Sequence, residues 1–278
     1  MFKRLIKYLL YRIWYFIIQL IYRRDVIYLD YRPYHKNFGD EFNLWLVAEL
    51  SGRRIIKVQS EYFTGVHMMA AGSILDHAKA STIVWGSGLI SEEVSFSNEL
   101  HDIRAVRGKL TYARLLAKGI KCPTVFGDPA MLVPRLYSPR VSDFSRCKVG
   151  IVPHYIDKHN QWLNRFSTVK DVKIIDIQQD SIFGFIDDVC SCDIVLSSSL
   201  HGLIIADAYK IPNVWIRLSD NVIGGDFKFL DYYSIGVRQP NCKMISGDEA
   251  INDLITFAEV TNFNTDFSEL MESFPFQK

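Results

Sequence analysis

The chain has 278 residues, 49% hydrophobic and 23% charged, enough apolar content for a packed core and enough length for one large or two modest domains. A net charge of +1 excludes the basic surplus expected of a nucleic-acid binder. The five cysteines (Cys122, Cys147, Cys190, Cys192 and Cys242) have no paired spacing, which excludes a disulfide framework and reads as reduced cytosolic thiols. Cys190 and Cys192 lack the second cluster of a metal site and read as core residues.

Charge is distributed unevenly. Lys3, Arg4, Lys7, Arg12, Arg23 and Arg24 all precede the first carboxylate, Asp25. Taking those six from the 32 basic residues leaves 26 against 31 acidic ones, a balance of −5 for the rest. Residues 1–24 also predict an amphipathic helix: Leu9, Ile13, Phe16, Ile17 and Leu20 share one face, and Arg4, Lys7, Arg12, Gln19, Tyr8, Tyr11, Tyr15 and Tyr22 cover the other. Arg12 and Gln19 interrupt the ~20 predominantly apolar residues that spanning a bilayer needs, and no small-residue cleavage site marks a signal peptide. Two readings follow. The helix covers the core with a solvated basic face, or it lies on a membrane surface, where tyrosine and arginine suit the headgroup layer. On the second reading the protein is cytoplasmic and held peripherally on the inner face of the cytoplasmic membrane, with its cleft turned away.

From Asp25 onward strands and helices alternate. Strands are expected at 26–29, 66–70, 83–85 and 103–106, with helices at 42–50, stopped by Gly52, and 110–118, stopped by Gly119. Tyr31 to Asp40 reads as a polar loop. Residues 134–146, with two prolines, three serines and three arginines, read as a linker. Alternation resumes with strands at 149–152, 172–175, 194–196 and 214–216 and helices at 161–166 and 182–190. Another helix follows Ser199, and two more at 249–259 and 267–274 close the chain. The expected architecture is α/β: two doubly wound, Rossmann-like domains, 25–133 and 147–278, facing a cleft, with a last helix placed to cross back.

Ligands of such sheets bind outside the carboxyl ends of strands, and several motifs fall there. At Ser197-Ser198-Ser199-Leu200-His201-Gly202 a strand runs into a helix, offering free N–H groups, a positive dipole end and an imidazole. The alternative is a serine cap beside a packed histidine. Asn37 and Asp40 around Gly39 are placed to bond sugar hydroxyls, or to cap a helix. Gly86-Ser87-Gly88 has the form of a phosphate-approach loop but lacks the third glycine of a dinucleotide fingerprint. Arg107, at a strand end, and Arg217, at another, are candidate anion clamps. His154 follows the first strand of the second half. Asp128 reads first as a turn aspartate. Lys228 falls in a loop anchored by Gly224 and Gly225. No Asp-X-Asp pair sits where it would hold a metal on a nucleotide diphosphate, so no metal is expected.

In this order, Asn37-Phe38-Gly39-Asp40-Glu41, Trp85-Gly86-Ser87-Gly88, Val106-Arg107-Gly108, Phe126-Gly127-Asp128-Pro129-Ala130, Val152-Pro153-His154 and Ser197-Ser198-Ser199-Leu200-His201-Gly202 resemble the polysaccharide pyruvyl transferase family. The likeness covers roughly residues 26–236 and is to the branch carrying Ser-Ser-Ser-Leu-His. It departs from other members at Ser199, where they carry an arginine. The resemblance implies a fold similar to the GT-B glycosyltransferases. It also implies transfer of a pyruvyl group from phosphoenolpyruvate to a sugar of a cell-surface polysaccharide or its lipid-linked precursor, giving a cyclic ketal. It implies no further cofactor. It implies proton transfer by His201, a carboxylate contact by Arg107, and a donor side built from Ser197, Ser198, Ser199, Gly202, His154, Arg217 and Lys228. The acceptor side would hold Asn37, Gly39, Asp40, Gly86, Ser87, Gly88 and Asp128. Two other functions suit the same scaffold: a glycosyltransferase using a nucleotide sugar, and a non-catalytic membrane-bound scaffold for polysaccharide assembly.

Overall fold

The structure, a computed structural model, describes residues 2–21, 25–30, 37–142, 145–237 and 241–277. Of the sequence features above, Tyr22, Arg23, Arg24 and residues 31–36 of the loop Tyr31 to Asp40 lie outside this set, as do the side chains of Lys3, Arg4, Lys7, Tyr8, Gln19 and Asp40. Helix α1 (Phe2–Ile21) precedes β1 (Val26–Asp30), α2 (Phe38–Ser51), β2 (Arg54–Val58), β3 (His67–Met69), β4 (Thr82–Trp85), β5 (Asp102–Ala105) and α3 (Lys109–Ala117). The second half holds β6 (Cys147–Val152), α4 (Gln161–Asn164), β7 (Val172–Ile174), α5 (Ile182–Cys190), β8 (Cys192–Ser197), α6 (Leu200–Ala208) and β9 (Asn213–Arg217). It closes with α7 (Phe227–Tyr233), β10 (Lys243–Met244), α8 (Ile251–Ile255) and α9 (Ser268–Glu272).

Each half contains one five-stranded sheet, and every strand pair in both is parallel. The first sheet runs β2-β1-β3-β4-β5 and the second β10-β9-β8-β6-β7. Counted from its own first strand, each has the order 2-1-3-4-5. That order reverses direction beside its first strand, between β1 and β3 and again between β6 and β8, and the crevice at such a switch point is where doubly wound sheets take ligands. The central strands are buried on both faces, as β4 (Thr82–Trp85) shows along its whole length, so they read as continuous apolar runs rather than alternating ones.

The halves share a core. Ile27 and Leu29 of β1 belong to the same buried cluster as Val195 of β8 and Leu203, Ile204 and Ile205 of α6. Phe38 of α2 packs on Phe185 of α5 with ring centroids 4.5 Å apart. The segment expected to be a linker begins inside a 3-10 turn, Pro129–Arg135, whose Ala130, Met131, Leu132 and Val133 are buried against α6. Its next tyrosine, Tyr137, donates to Asp187 of α5 and accepts at its carbonyl from Tyr209. The last helix packs on the first half: Trp85 donates its indole N–H to the Leu270 carbonyl at 2.9 Å, with Phe274 4.8 Å from its ring. Helix 249–259 is shorter than its apolar pattern predicts, ending at Ile255. Cys147 and Cys192 are register partners on β6 and β8 and remain thiols, with their sulfurs 2.6 Å apart.

Candidate active site

A cavity of about 440 Å³ opens between the two sheets at the carboxyl ends of their strands. Both switch points reach it. Asn37, beyond β1, and Ser73, beyond β3, line it from the first half; His154, beyond β6, and Ser199 and His201, beyond β8, line it from the second. The first N–H of α2, from Phe38, donates to the Ile177 carbonyl beyond β7 at 2.9 Å and ties the two rims together.

His201 stands on the first turn of α6, whose N-cap, Ser199, is extended and makes no side-chain cap bond. The positive end of the helix is therefore left for a ligand. The imidazole lies against Gly39: a Cβ there would come within 2.2 Å of His201 Cε1. Only glycine lets α2 approach this ring. Nε2 of His201 is buried with no hydrogen-bond partner. Burial pushes the His201 pKa below its ordinary value, with Lys228 and Arg107 adding to the effect and Asp128 opposing it, so the ring is neutral at pH 7. Asp128 is fully buried, which pushes its pKa up, while His201 pulls it down. One Asp128 oxygen accepts from Ala130 N–H at 3.0 Å and the other has no partner. Asp128 is thus more than a turn residue: it is a carboxyl group electrostatically coupled to the histidine, from behind the cavity wall.

Lys228 lines the same cavity at 8% exposure. Burial, with Arg107 nearby, lowers its pKa to about 8, and Asp157 partly offsets this. It belongs to α7, a helix where a loop was expected. Asp157 accepts from Ser219 at 2.5 Å through one oxygen and leaves the other buried without a partner.

Several expected contacts are corrected. Arg107 does not reach the cavity: its side chain is 0% exposed and is absent from the lining. It bonds Asp231 at 2.9 Å, Ser73 Oγ at 2.6 Å and the Leu89 carbonyl at 2.6 Å, and burial keeps it from a substrate carboxylate in the cavity. It stands one layer behind Ser73 and contributes its field. The Gly86-Ser87-Gly88 loop is structural. A Cβ at Gly86 would strike Pro129 and one at Gly88 would strike Arg107, and Ser87 Oγ bonds the Gly72 carbonyl. Gly202 is likewise a packing glycine, since a Cβ there would sit 2.4 Å from Ser197 Oγ. Ser197 is buried and bonds the Val152 carbonyl, while Ser198 accepts the His154 N–H at 2.8 Å; both build the junction rather than face the cavity. Arg217 is paired with Asp226 and Asp220 beside a separate, smaller pocket. Asn37, His154, Ser199, His201 and Lys228 are the expected residues that the fold brings together around one cavity.

Sequence reading missed Glu61, His77 and Tyr155 in the lining of that cavity. None sits in a motif, and each arrives through a loop beyond β2, β3 or β6. It also missed Asp231, whose carboxylate serves Arg107, the Thr111 N–H and the Thr111 hydroxyl. A second cavity, of about 230 Å³, lies beside Asn213, Trp215 and Tyr233 and carries none of the expected site residues. Among the described residues no group of three or more His, Cys, Asp or Glu side chains is placed to hold a metal ion.

The polysaccharide pyruvyl transferase family model matches residues 8–220. Uncharacterized protein L143 of Acanthamoeba polyphaga mimivirus is 30% identical over 247 residues, covering 85% of each chain. The succinoglycan biosynthesis protein ExoV of Rhizobium meliloti (strain 1021) is 29% identical over 207 residues, covering 71% of this chain and 61% of its own. The chain belongs to the polysaccharide pyruvyl transferase family.

Proposed function

We propose that this cavity transfers the pyruvyl group of phosphoenolpyruvate to two hydroxyls of a sugar in a polysaccharide or its lipid-linked precursor, forming a cyclic ketal and releasing phosphate. The observation that carries the reading is the convergence of Lys228, His201 and the uncapped N-terminus of α6 on one cavity. A donor with a carboxylate and a phosphate needs buried positive potential, and a lysine charged below about 8 beside a free helix end supplies it. Family membership and the succinoglycan-related relative support the polysaccharide context. On this reading 25–133 holds the acceptor and 147–278 the donor, in the manner of GT-B glycosyltransferases.

The methylene carbon of the donor gains a proton, and the central carbon, made electrophilic, takes the oxygen of the first hydroxyl. Phosphate leaves with the C–O bond pair and the second hydroxyl closes the ring. Of the two hydroxyl protons, one is balanced by the new methyl group and one departs with phosphate. Neutral His201 is suited to accept a hydroxyl proton, and Asp128 stabilises the imidazolium that results. Lys228 and the first turn of α6 hold the departing phosphate. Ser199 presents no cation where other members place one, and Lys228 supplies the charge from α7.

The test is a thermal-shift comparison of phosphoenolpyruvate with nucleotide sugars, followed by mass analysis of an oligosaccharide acceptor. Stabilisation by phosphoenolpyruvate and an acceptor gaining a pyruvyl ketal are expected. Stabilisation by a nucleotide sugar alone would move the assignment to glycosyl transfer, and no turnover with either would make the protein a scaffold.

A further inference from the structure

Helix α1 carries its apolar side on the outside. Tyr15 is 4% exposed, packs edge-on to Phe63 at 5.2 Å and accepts the Gln59 N–H at 3.1 Å. Tyr11, one turn earlier, stacks on Tyr62 at 5.1 Å. The tyrosine face is therefore the docked one. Opposite it Leu10, Ile13, Phe16, Ile17 and Leu20 form a strip whose members are each 47–62% exposed, with Trp14 at one margin and exposed Arg12 at the other. An apolar strip of this size on an otherwise ordinary surface marks a partner. No described helix is long and apolar enough to cross a membrane, so the strip does not mark a span.

We propose that the outward face of α1 seats the protein on an anionic lipid leaflet. Charge decides between a leaflet and a second copy of the chain. Residues 1–24 carry six basic and no acidic side chains, so pairing two copies of this segment brings like charge together, whereas anionic headgroups attract it. Trp14 and Arg12 suit the headgroup level at the margins of a helix lying in the plane of the interface.

The placement has a consequence for the acceptor, which rests on the function proposed above. The loop holding α1, Gln59 to Phe63, follows the carboxyl end of β2, and its Glu61 lines the cavity. Helix and cavity mouth therefore share an edge of the molecule, the reverse of a cleft turned away from the membrane. A lipid-linked sugar in the same leaflet meets the cavity without leaving the surface, at a raised effective concentration.

The experiment uses the full chain and co-sedimentation with phosphatidylcholine vesicles containing or lacking phosphatidylglycerol. Binding is expected only with phosphatidylglycerol and is expected to weaken in high salt. Ile17→Glu, and separately Leu20→Glu, should each lower partitioning at least about tenfold while leaving the thermal midpoint and circular dichroism unchanged. The full chain remaining in the supernatant, or undiminished sedimentation of both folded variants, overturns the proposal. So does a dimer that Ile17→Glu splits without any vesicle binding. Vesicle binding without phosphate release from phosphoenolpyruvate would overturn the activity and leave the anchor standing.

Discussion

Gly39→Ala isolates the geometry of the site from its chemistry. The substitution adds one methyl group, and φ at Gly39 is not in the left-handed region, so the backbone accepts it. Within α2 alanine is favoured over glycine by about 0.5–1 kcal/mol. The new Cβ, however, would lie 2.2 Å from Cε1 of His201, 2.7 Å from Nδ1 and 2.8 Å from Nε2. Ordinary contact begins at 3.4 Å, so the ring must retreat by roughly 1.2 Å. A displacement near 1 Å of a reacting group costs on the order of 100-fold in rate. Turnover, read as phosphate released from phosphoenolpyruvate with an oligosaccharide acceptor, is therefore expected to fall about 100-fold, with a thermal midpoint at or near that of the parent. His201→Ala should lower turnover by a similar factor or more, again with little change in midpoint, because the buried Nε2 has no hydrogen bond to lose. The double variant Gly39→Ala/His201→Ala should be no slower than His201→Ala alone, since both act through the same ring. A folded Gly39→Ala protein with parental turnover, or losses that multiply in the double variant, would refute the placement of His201 at the reaction.

Arg107→Ala leaves the Asp231 carboxylate buried without its cation and should destabilise the fold by about 3–5 kcal/mol in urea unfolding; a stable variant with only weakened donor binding would return Arg107 to the cavity. Donor affinity, measured by calorimetry across pH, should hold below about 8 and decline above it as Lys228 loses its proton, and Lys228→Met should weaken binding and remove that decline. An unchanged pH profile in Lys228→Met would assign the phosphate contact elsewhere. Truncation before Phe267 removes the carbonyl that Trp85 bonds and uncovers buried side chains of the first half, so it should lower the thermal midpoint clearly and shift Trp85 fluorescence to the red; a truncated chain of parental stability would show that the last helix is dispensable.

The sequence by itself determined the alternation of strands and helices, the parallel sheets it implies, and the junction that sets His201 at the start of α6. These are local signals: apolar runs of strand length, glycines with positive φ at 52 and 119 where helices stop, and a serine before a helical pattern. Strand β2 and helix α7 escaped because both are short, and β2 is an edge strand whose outer residues stay partly exposed. The tertiary structure alone decided what each candidate touches. Arg107 and Asp231 lie 124 positions apart, and nothing within either segment announces their pairing, so a strand-end arginine that reads as a clamp is a buried brace. Glycine carries no mark of what it makes room for; Gly39 opens space for His201, while Gly88 opens it for Arg107. Periodicity likewise shows that α1 has an apolar face but not which face docks. That choice depends on the surface offered to it, and the ring of Phe63 and the N–H of Gln59 select the tyrosines, whose hydroxyls need a partner when buried, leaving the aliphatic strip outside.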